Sequence, residues 1–327
     1  MFSLVNHTNH ADWCRDYFEF LAKECHEQLY FLLGYVATGS DQVTWRYFSH
    51  MEHDGVGAGL ALMRMRGRTG AERARIGAPP DGAPLLKYAL KKLAAPPPIE
   101  FKDVDWRRPG VLPNAIPWHA WSVERTKELM ASMRKARLAP MGVLLWSLHR
   151  ATARLLTKPG CVCQWSIPVN MHGADPRVSV DTSNQLSSVD VELPFDALPQ
   201  AVNADLMQRF ADGAHWAIWR LQALTSPPLM RLTRAMYARA YRTNEFRGQL
   251  GTFSWFGDYG DLSDIDIDFI IGAPPALKIA PVAAGAGIVG GRLCIAGHLH
   301  AVLDGQGDKA EALVDAWRNT LEHWEQA

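Results

Sequence analysis

Stretches in which apolar side chains fall at every second position predict the strands of this chain, because that period places them on one face of a sheet. Val43, Trp45 and Tyr47 show the pattern, and a Gly39-Ser40 turn before them predicts a hairpin. The predicted strands are Leu29–Thr38, Gln42–Ser49, Ile116–Ser122, Cys161–Val169, Gln185–Leu193, Gly251–Phe256, Ile265–Ile271, Leu277–Ala283 and Arg292–His300.

Apolar side chains at intervals of three and four predict helices between these strands. Pro140–Leu156 is apolar nearly all round, so we expect this helix to be buried. Ser122 is a predicted cap for a helix that runs to about Arg137. The other predicted helices are residues 12–28, Gly55–Met65, a short one at Pro84–Leu93, Leu198–Leu224, Pro228–Tyr241 and a final one through Ala310–Trp324. Strands and helices in both parts of the chain predict an α/β fold.

Composition is that of an ordinary soluble globular protein, with 327 residues, 48% of them hydrophobic and 21% charged. The 34 basic and 34 acidic residues cancel, which argues against bulk attraction to nucleic acid or to an anionic membrane. No signal-peptide pattern opens the sequence, and no apolar run approaches the length of a transmembrane segment. The five cysteines lack the paired spacing of a metal site, so a reduced, cytoplasmic protein is expected.

Residues 64–98 differ in character from the rest, because arginines alternate there with glycines and the segment ends in three prolines. Such a composition is typical of a linker. We therefore predict an N-terminal domain over residues 1–110, with its linker at about 64–110, and a C-terminal domain over residues 111–327. Each of the two contains an alternating run that leads into a short motif and then into a helix.

The motif reads His, three residues, Asp, Gly, and it occurs as His50…Asp54-Gly55 and again as His300…Asp304-Gly305. One copy is a weak signal, because such a loose pattern arises by chance. Two copies in the same strand-to-helix setting form a much stronger signal. Gly at the last position lets the backbone turn closely, and Asp can begin the helix that follows. A neutral imidazole held at such a turn can serve as a general base.

With these motifs the sequence resembles the superfamily of chloramphenicol acetyltransferase, the condensation domains of peptide synthetases, and the wax ester synthase and polyketide-associated acyltransferases. The resemblance covers most of residues 29–65 and 116–325. Besides the motifs, it rests on Trp118–Leu156, on Ser166–Asn170 with Asn184 and Leu193-Pro194, and on Phe253–Gly257.

The chain departs from these families at three places. The part before the first motif is short compared with that of condensation domains. His172 stands where the wax-synthase-like stretch usually has Arg, and Ser49 and Leu299 stand where a second His commonly precedes the motif.

The resemblance implies two acetyltransferase-like halves, with mixed sheets flanked by helices and a tunnel at their interface. It implies transfer of an acyl group from a coenzyme A or carrier-protein thioester to an alcohol or amine, with no permanently bound cofactor and no metal. The thioester is a co-substrate, and acyl-CoA or an acyl carrier protein is the expected partner. His50 or His300 would be the general base, and Asp54 and Asp304 would hold the shape of each motif.

Other residues that the resemblance places near the substrate are Gly55, Gly305, Ser254, Trp255 and Asn170. Ser254, or a backbone N–H near it, is a candidate donor to the oxyanion of the tetrahedral intermediate. The alternative is that Ser254 and Trp255 pack the strand and that Asn170 is a structural hydrogen-bonding residue.

The sequence leaves open which histidine acts. In the two-half families the N-terminal motif faces the tunnel, which favours His50, whereas in the single-half, trimeric acetyltransferases the active motif lies near the C-terminus, as His300 does. Metal binding by His50 with His53, or by His298 with His300, is disfavoured because acidic and cysteine partners are missing. A non-catalytic condensation-like binding or docking module is the competing hypothesis, and the acyltransferase core of a dehydrogenase complex ranks last.

Overall fold

The structure is a computed structural model that describes residues 10–68, 87–88, 98–172, 184–223, 227–243, 249–260 and 262–327. Its helices are α1 (His10–Glu24), α2 (Gly55–Met65), α3 (Val123–Lys135), α4 (Pro140–Leu156), α5 (Pro199–Ala211), α6 (Ala214–Ala223), α7 (Pro227–Thr243) and α8 (Asp308–Glu322). Its strands are β1 (Tyr30–Ala37), β2 (Val43–Ser49), β3 (Trp118–Ala120), β4 (Val162–Asn170), β5 (Leu186–Pro194), β6 (Gln249–Asp258), β7 (Ile267–Ala273), β8 (Val282–Val289) and β9 (Arg292–Leu299).

The described strands form two sheets. The smaller sheet has the order β2-β1-β7 and is antiparallel throughout. The larger sheet has the order β3-β9-β8-β6-β4-β5, and it is mixed because β6 runs parallel to both of its neighbours. Strand β7 belongs to the C-terminal part of the chain but pairs with β1. A strand remote in sequence therefore completes the sheet that the N-terminal hairpin begins.

The two largest apolar cores of the described residues lie against these sheets. In the larger core, α3, α4, α5 and α8 pack on the larger sheet, and Trp146, Trp165 and Trp317 are almost completely buried in it. The expected burial of Pro140–Leu156 is confirmed by α4. The smaller core lies between α2 and the smaller sheet and also includes Val289 of β8, so it extends to the larger sheet. Both cores support the ends of strands where the motifs lie.

Local chemistry explains where several elements begin. The Ser122 hydroxyl accepts a hydrogen bond from the Arg125 N–H at 3.1 Å, which confirms this residue as the cap of α3. Helix α4 has no side-chain cap and begins instead with Pro140, which needs no partner for its nitrogen. Gly39 turns the hairpin with φ +77°, a conformation that favours glycine.

The structure corrects two predicted elements, and a third lies mostly outside the described residues. The helix predicted over Leu198–Leu224 is two helices, because Gly213 adopts φ +72° and a left-handed residue cannot continue a helix. The strand predicted over Leu277–Ala283 begins only at Val282 and runs on to Val289. The predicted helix at Pro84–Leu93 lies outside the described residues, apart from two helical positions at 87–88.

Gly285 explains why the hydrophobic pattern does not predict the correct bounds of β8. A Cβ at this position would collide with the carbonyl oxygen of Gly272 on β7, so the two sheets approach each other closely here. Small residues therefore serve a packing role in a strand whose composition favours a loop. No described helix is both long and apolar enough to cross a membrane.

Candidate active site

His50 directly follows β2, at the open end of the N-terminal hairpin. Its N–H donates to the Leu29 carbonyl at 2.8 Å, and the His53 N–H donates to the Ser49 carbonyl at 2.9 Å. These two bonds fix the start of the turn that leads to Asp54. The His50 residue is 8% exposed, so its ring is held by protein on most sides.

Aromatic contacts and one carbonyl orient the His50 imidazole. The ring centroid lies 4.1 Å from that of Phe18 and 4.6 Å from that of Phe31. Nδ1 lies 3.1 Å from the His53 carbonyl oxygen. Two groups meet Nδ1: the His53 carbonyl oxygen, which can only accept, and the Asn184 side-chain nitrogen, which donates to the His50 carbonyl. We assign the ring proton to Nδ1 on the contact with the His53 carbonyl, which leaves the lone pair on Nε2.

Burial lowers the pKa of His50 to about 4, although its contact with the His53 carbonyl and the charge of Asp54 act in the opposite direction. The ring is therefore neutral at pH 7. A neutral ring with a lone pair on Nε2 is the form that can accept a proton.

Asn184 secures the same histidine from the larger sheet. Its side-chain nitrogen donates to the His50 carbonyl at 2.8 Å and lies 3.0 Å from Nδ1. Asn184 is only 2% exposed. The position of the ring is therefore determined by residues from both parts of the chain.

Asp54 joins the motif to the helix and to the larger sheet. One carboxylate oxygen accepts from the Gly57 N–H at 2.7 Å and caps α2. The other lies 2.5 Å from His172 Nε2 and 3.2 Å from the Gln185 N–H. Both side chains of the Asp54–His172 pair are 0% exposed. His172 is therefore a side-chain partner of Asp54.

A cavity of about 380 Å³ adjoins His50, and this volume lies in the range of small-molecule sites. Elements from both parts of the chain enclose it. The described residues that line it come from α1, β1, β4, β5, α6, α7, β6 and the segment before β8: Cys14, Tyr17, Phe18, Phe31, His50, Ser166, Pro168, Asn184, Leu186, Ser187, Ser188, Ile218, Leu221, Gln222, Tyr237, Gln249, Thr252, Pro274, Pro275, Leu277, Ile279 and Ala280.

His300, the second motif histidine, has a different environment. Its Nδ1 accepts a hydrogen bond from the Val302 N–H at 3.2 Å, which places the ring proton on Nε2. Nε2 faces Glu27, whose Oε2 lies 3.5 Å away, and both side chains are at most 2% exposed. A Cβ on Gly110 would lie 3.2 Å from this Nε2, so the chain passes directly over the pair. The pocket that His300 borders has a volume of about 10 Å³, roughly the space of one water molecule.

Asp304 and Gly305 complete the second motif without forming a cavity. Asp304 accepts from the N–H groups of Gly307 and Ala310, each at 2.8 Å, and so caps α8. The guanidinium of Arg108 covers Gly305. The second copy thus retains the helix-capping function of its aspartate, and its histidine is enclosed.

The remaining predicted substrate residues are not among the described lining of this cavity. Ser254 and Trp255 follow the lining residue Thr252 along β6. Asn170 accepts from the His172 N–H at 2.9 Å, so it supports the partner of Asp54. Gly55 begins α2, where a Cβ would lie 2.9 Å from the Phe256 ring.

The second motif also anchors one wall of the cavity, which the sequence does not reveal. His298 Nε2 lies 2.9 Å from the Pro274 carbonyl, and the His300 N–H donates to the Pro281 carbonyl at 2.8 Å. Glu27 Oε1 accepts from the Lys278 N–H at 3.0 Å. These contacts hold residues 274–281, four of which line the cavity beside Pro274. No spacing rule in the sequence relates Glu27 to this segment.

The described residues contain no group of three or more His, Cys, Asp or Glu side chains placed to hold a metal ion. His50 and His53 are brought together through the His53 carbonyl and not through their two rings.

Comparisons with known proteins identify the fold. No family model and no curated sequence matches the chain. The wax ester synthase/diacylglycerol acyltransferase of Marinobacter aquaeolei VT8 is similar in structure, with a TM-score of 0.55 at 11% identity over 95% of this chain and 76% of that one. Polyketide synthase associated protein 5 of Mycobacterium tuberculosis has a TM-score of 0.50 at 16% identity, over 91% of this chain and 78% of that one. These likenesses confirm the predicted α/β fold of mixed sheets flanked by helices.

Proposed function

From the fold of the chloramphenicol-acetyltransferase-like superfamily, which this chain has, and from the geometry of His50, we propose that the protein is an acyltransferase. It moves an acyl group from a coenzyme A or carrier-protein thioester to an alcohol or amine. The observation that carries the proposal is a neutral histidine, with its lone pair on Nε2, at the wall of a cavity of about 380 Å³.

In the proposed reaction, His50 accepts one proton and later donates it. Nε2 takes the proton of the acceptor's O–H or N–H as the acceptor attacks the thioester carbonyl. The tetrahedral intermediate then collapses, the carbon–sulfur bond breaks, and the imidazolium returns the proton to the leaving thiolate. The transient positive charge on the ring is stabilised by the nearby carboxylate of Asp54, whose charge favours the protonated form. The chain supplies the base and its orientation, and the thioester supplies the activated acyl group.

His50 is the proposed base, and His300 is not, because the two rings offer different atoms. His50 has its proton on the side of the His53 carbonyl. His300 uses its Nδ1 lone pair for the Val302 N–H and directs Nε2 at Glu27. The second ring therefore has no lone pair available to an acceptor substrate.

Release of free thiol from acyl thioesters tests this proposal. Acetyl-CoA and longer acyl-CoA donors, each with an alcohol or amine acceptor, are the substrates. His50→Gln should lower kcat/KM by about 10²–10⁴-fold, the usual contribution of general base catalysis. His300→Gln and the exposed control His323→Gln should retain transfer.

Two outcomes of the same assay would contradict the proposal. Equal loss in the His50 and His300 variants would reassign the base or point to a general structural effect, which far-UV circular dichroism would detect. No thiol release from any donor by the wild-type protein would favour a non-catalytic binding module.

A further inference from the structure

The cavity beside His50 has a polar wall on the larger sheet. Ser166 of β4, Ser188 of β5 and Thr252 of β6 line it from three adjacent strands. Ser166 is directly paired with Thr252, and Ser188 is paired with Pro168, which also lines the cavity. We call Ser166, Ser188 and Thr252 the hydroxyl floor. Within the part of the chain that the structure describes, none of the three hydroxyls is hydrogen-bonded to protein, and all three are only partly buried.

Other parts of the lining are apolar. Phe18, Phe31, Pro274, Leu277 and Ile279 line the cavity there, and we call them the apolar roof. A ligand that fits both walls has a hydrocarbon side and several neutral hydrogen-bonding groups.

The described lining contains no Lys, Arg, Asp or Glu side chain. Three of its titratable groups, His50, Cys14 and Tyr17, favour their uncharged forms as well. Burial lowers the pKa of His50 to about 4 and raises the pKa values of Cys14 and Tyr17 above their ordinary values. An ionised group on a ligand would lose its hydration in this cavity and would gain no described opposite charge.

We propose that the acceptor held in this cavity is an uncharged, hydroxylated molecule, an alcohol and not an amine, and that a second hydroxyl of the acceptor binds the hydroxyl floor. Its identity as an acceptor rests on the proposed acyl transfer, whereas its neutrality and its contact with the floor do not. An alkylamine with a pKa near that of lysine, about 10.4, is almost wholly protonated at pH 7 and must lose that proton to enter. An alcohol enters unchanged.

Binding to the wild-type protein without any thioester tests the proposal apart from turnover. Isothermal titration calorimetry compares 1-octanol, 1-octylamine, octanoate and 1,2-octanediol, which share one chain length. At pH 7 octylamine and octanoate should bind at least tenfold more weakly than octanol. The gap for octylamine should narrow at pH 9, where more of it is neutral. The diol should bind two- to tenfold more tightly than octanol, as one added neutral hydrogen bond allows.

Variants of the floor make the test specific. Thr252→Val combined with Ser166→Ala should remove the advantage of the diol and leave octanol binding within twofold, whereas Ser40→Ala, remote from the cavity lining, should change nothing. Ser188→Asp should reverse the selectivity by making octylamine bind more tightly than octanol, because it supplies the missing charge.

Three results would overturn the inference: equal affinity for octanol and octylamine at pH 7, a diol advantage that survives in the double variant, or no binding of octanol at all. If acyl transfer alone fails, the bound alcohol is a ligand of the cavity and not an acyl acceptor, and the binding result still holds.

Discussion

At the scale of single residues, one sequence pattern produces two histidines with opposite hydrogen-bonding roles. The backbone group that contacts Nδ1 differs between them: a carbonyl oxygen in His50 and an N–H in His300. A carbonyl requires a proton on Nδ1, whereas an N–H requires a lone pair there. Nε2 is therefore a base in the first motif and a donor in the second. A sequence motif fixes the residue type, and the turn geometry fixes its protonation.

The low pKa of His50 predicts an unusual pH profile. Because burial lowers the pKa of His50 to about 4, the neutral, reactive form persists when the pH falls below the ordinary histidine value of about 6.5. In assays stopped at each pH and read at a common pH, kcat/KM for transfer to an alcohol should stay level from pH 8 to pH 5. Half of the activity should be lost near pH 4. Tryptophan fluorescence at each pH verifies that the protein is folded, and a midpoint near 6.5 would refute the assignment.

The sequence identified part of this site and could not identify the rest. The spacing of His50 and Asp54 drew attention to both, and the family resemblance drew attention to Asn184. Phe18 and Glu27 carry no signal, because a helical aromatic residue and an isolated glutamate occur throughout any globular chain. Their roles arise only when α1 is packed beside the motif strands.

At the scale of elements, the two motif aspartates both cap helices but in different surroundings. Asp54 is 0% exposed and serves Gly57, His172 and Gln185, whereas Asp304 is partly exposed and serves two N–H groups. Asp54→Ala should therefore lower the free energy of unfolding by about 3–5 kcal/mol, since it leaves buried partners unpaired. Asp304→Ala should cost about 1 kcal/mol, because water replaces part of the cap. Urea unfolding of both variants measures the difference, and equal losses would contradict it.

A second prediction at this scale concerns residues 274–281, which the second motif anchors. The N–H groups of Leu277 and Ala280 each donate to the other's carbonyl, so their hydrogen exchange reports on this segment. His298→Ala removes the partner of the Pro274 carbonyl. Exchange at both amides should become about fivefold faster, as expected for one hydrogen bond of about 1 kcal/mol. Amides in α8 serve as the internal control, and unchanged exchange at Leu277 and Ala280 would show that the contact does not anchor the segment.

Periodicity predicted two helices with the bounds that the structure shows and failed at two glycines. Gly55–Met65 and Pro140–Leu156 were predicted with the bounds that the structure shows. Gly213 broke a helix that was predicted as continuous, since backbone conformation at glycine is not encoded in the hydrophobic pattern. Gly285 lies in the part of β8 that the pattern does not predict. Glycine is required there by the close approach of β7, which is a tertiary contact.

At the scale of the whole molecule, the pairing of β7 with β1 ties the N-terminal hairpin to the C-terminal part of the chain. The candidate base lies on the hairpin, whereas Asn184 and most of the cavity lining lie beyond residue 160. The site therefore exists only when both parts are folded together. The division at residue 110 stays a prediction, and this pairing indicates that neither part alone would form the site.

The buried histidines predict how the whole protein responds to acid. Burial lowers the pKa values of His50, His149 and His298 to about 4, below the value of about 6.5 expected in the unfolded chain. Between pH 6.5 and pH 4 the unfolded chain thus binds more protons, and stability falls as the pH falls. Each group contributes up to about 1.4 kcal/mol per pH unit. Urea unfolding at pH 7, 6 and 5 measures this slope.

His149→Gln provides the matched control for that slope. The ring of His149 accepts from the Trp165 indole N–H at 3.3 Å and lies 2.8 Å from the Pro194 carbonyl, and a glutamine amide offers both an acceptor and a donor without titrating. This variant should lose part of the dependence on pH while keeping the fold. Carboxylates do not interfere, because they titrate mainly below pH 5. A stability that is level between pH 7 and pH 5, or a slope that the substitution leaves unchanged, would show that these imidazoles are not held neutral by burial.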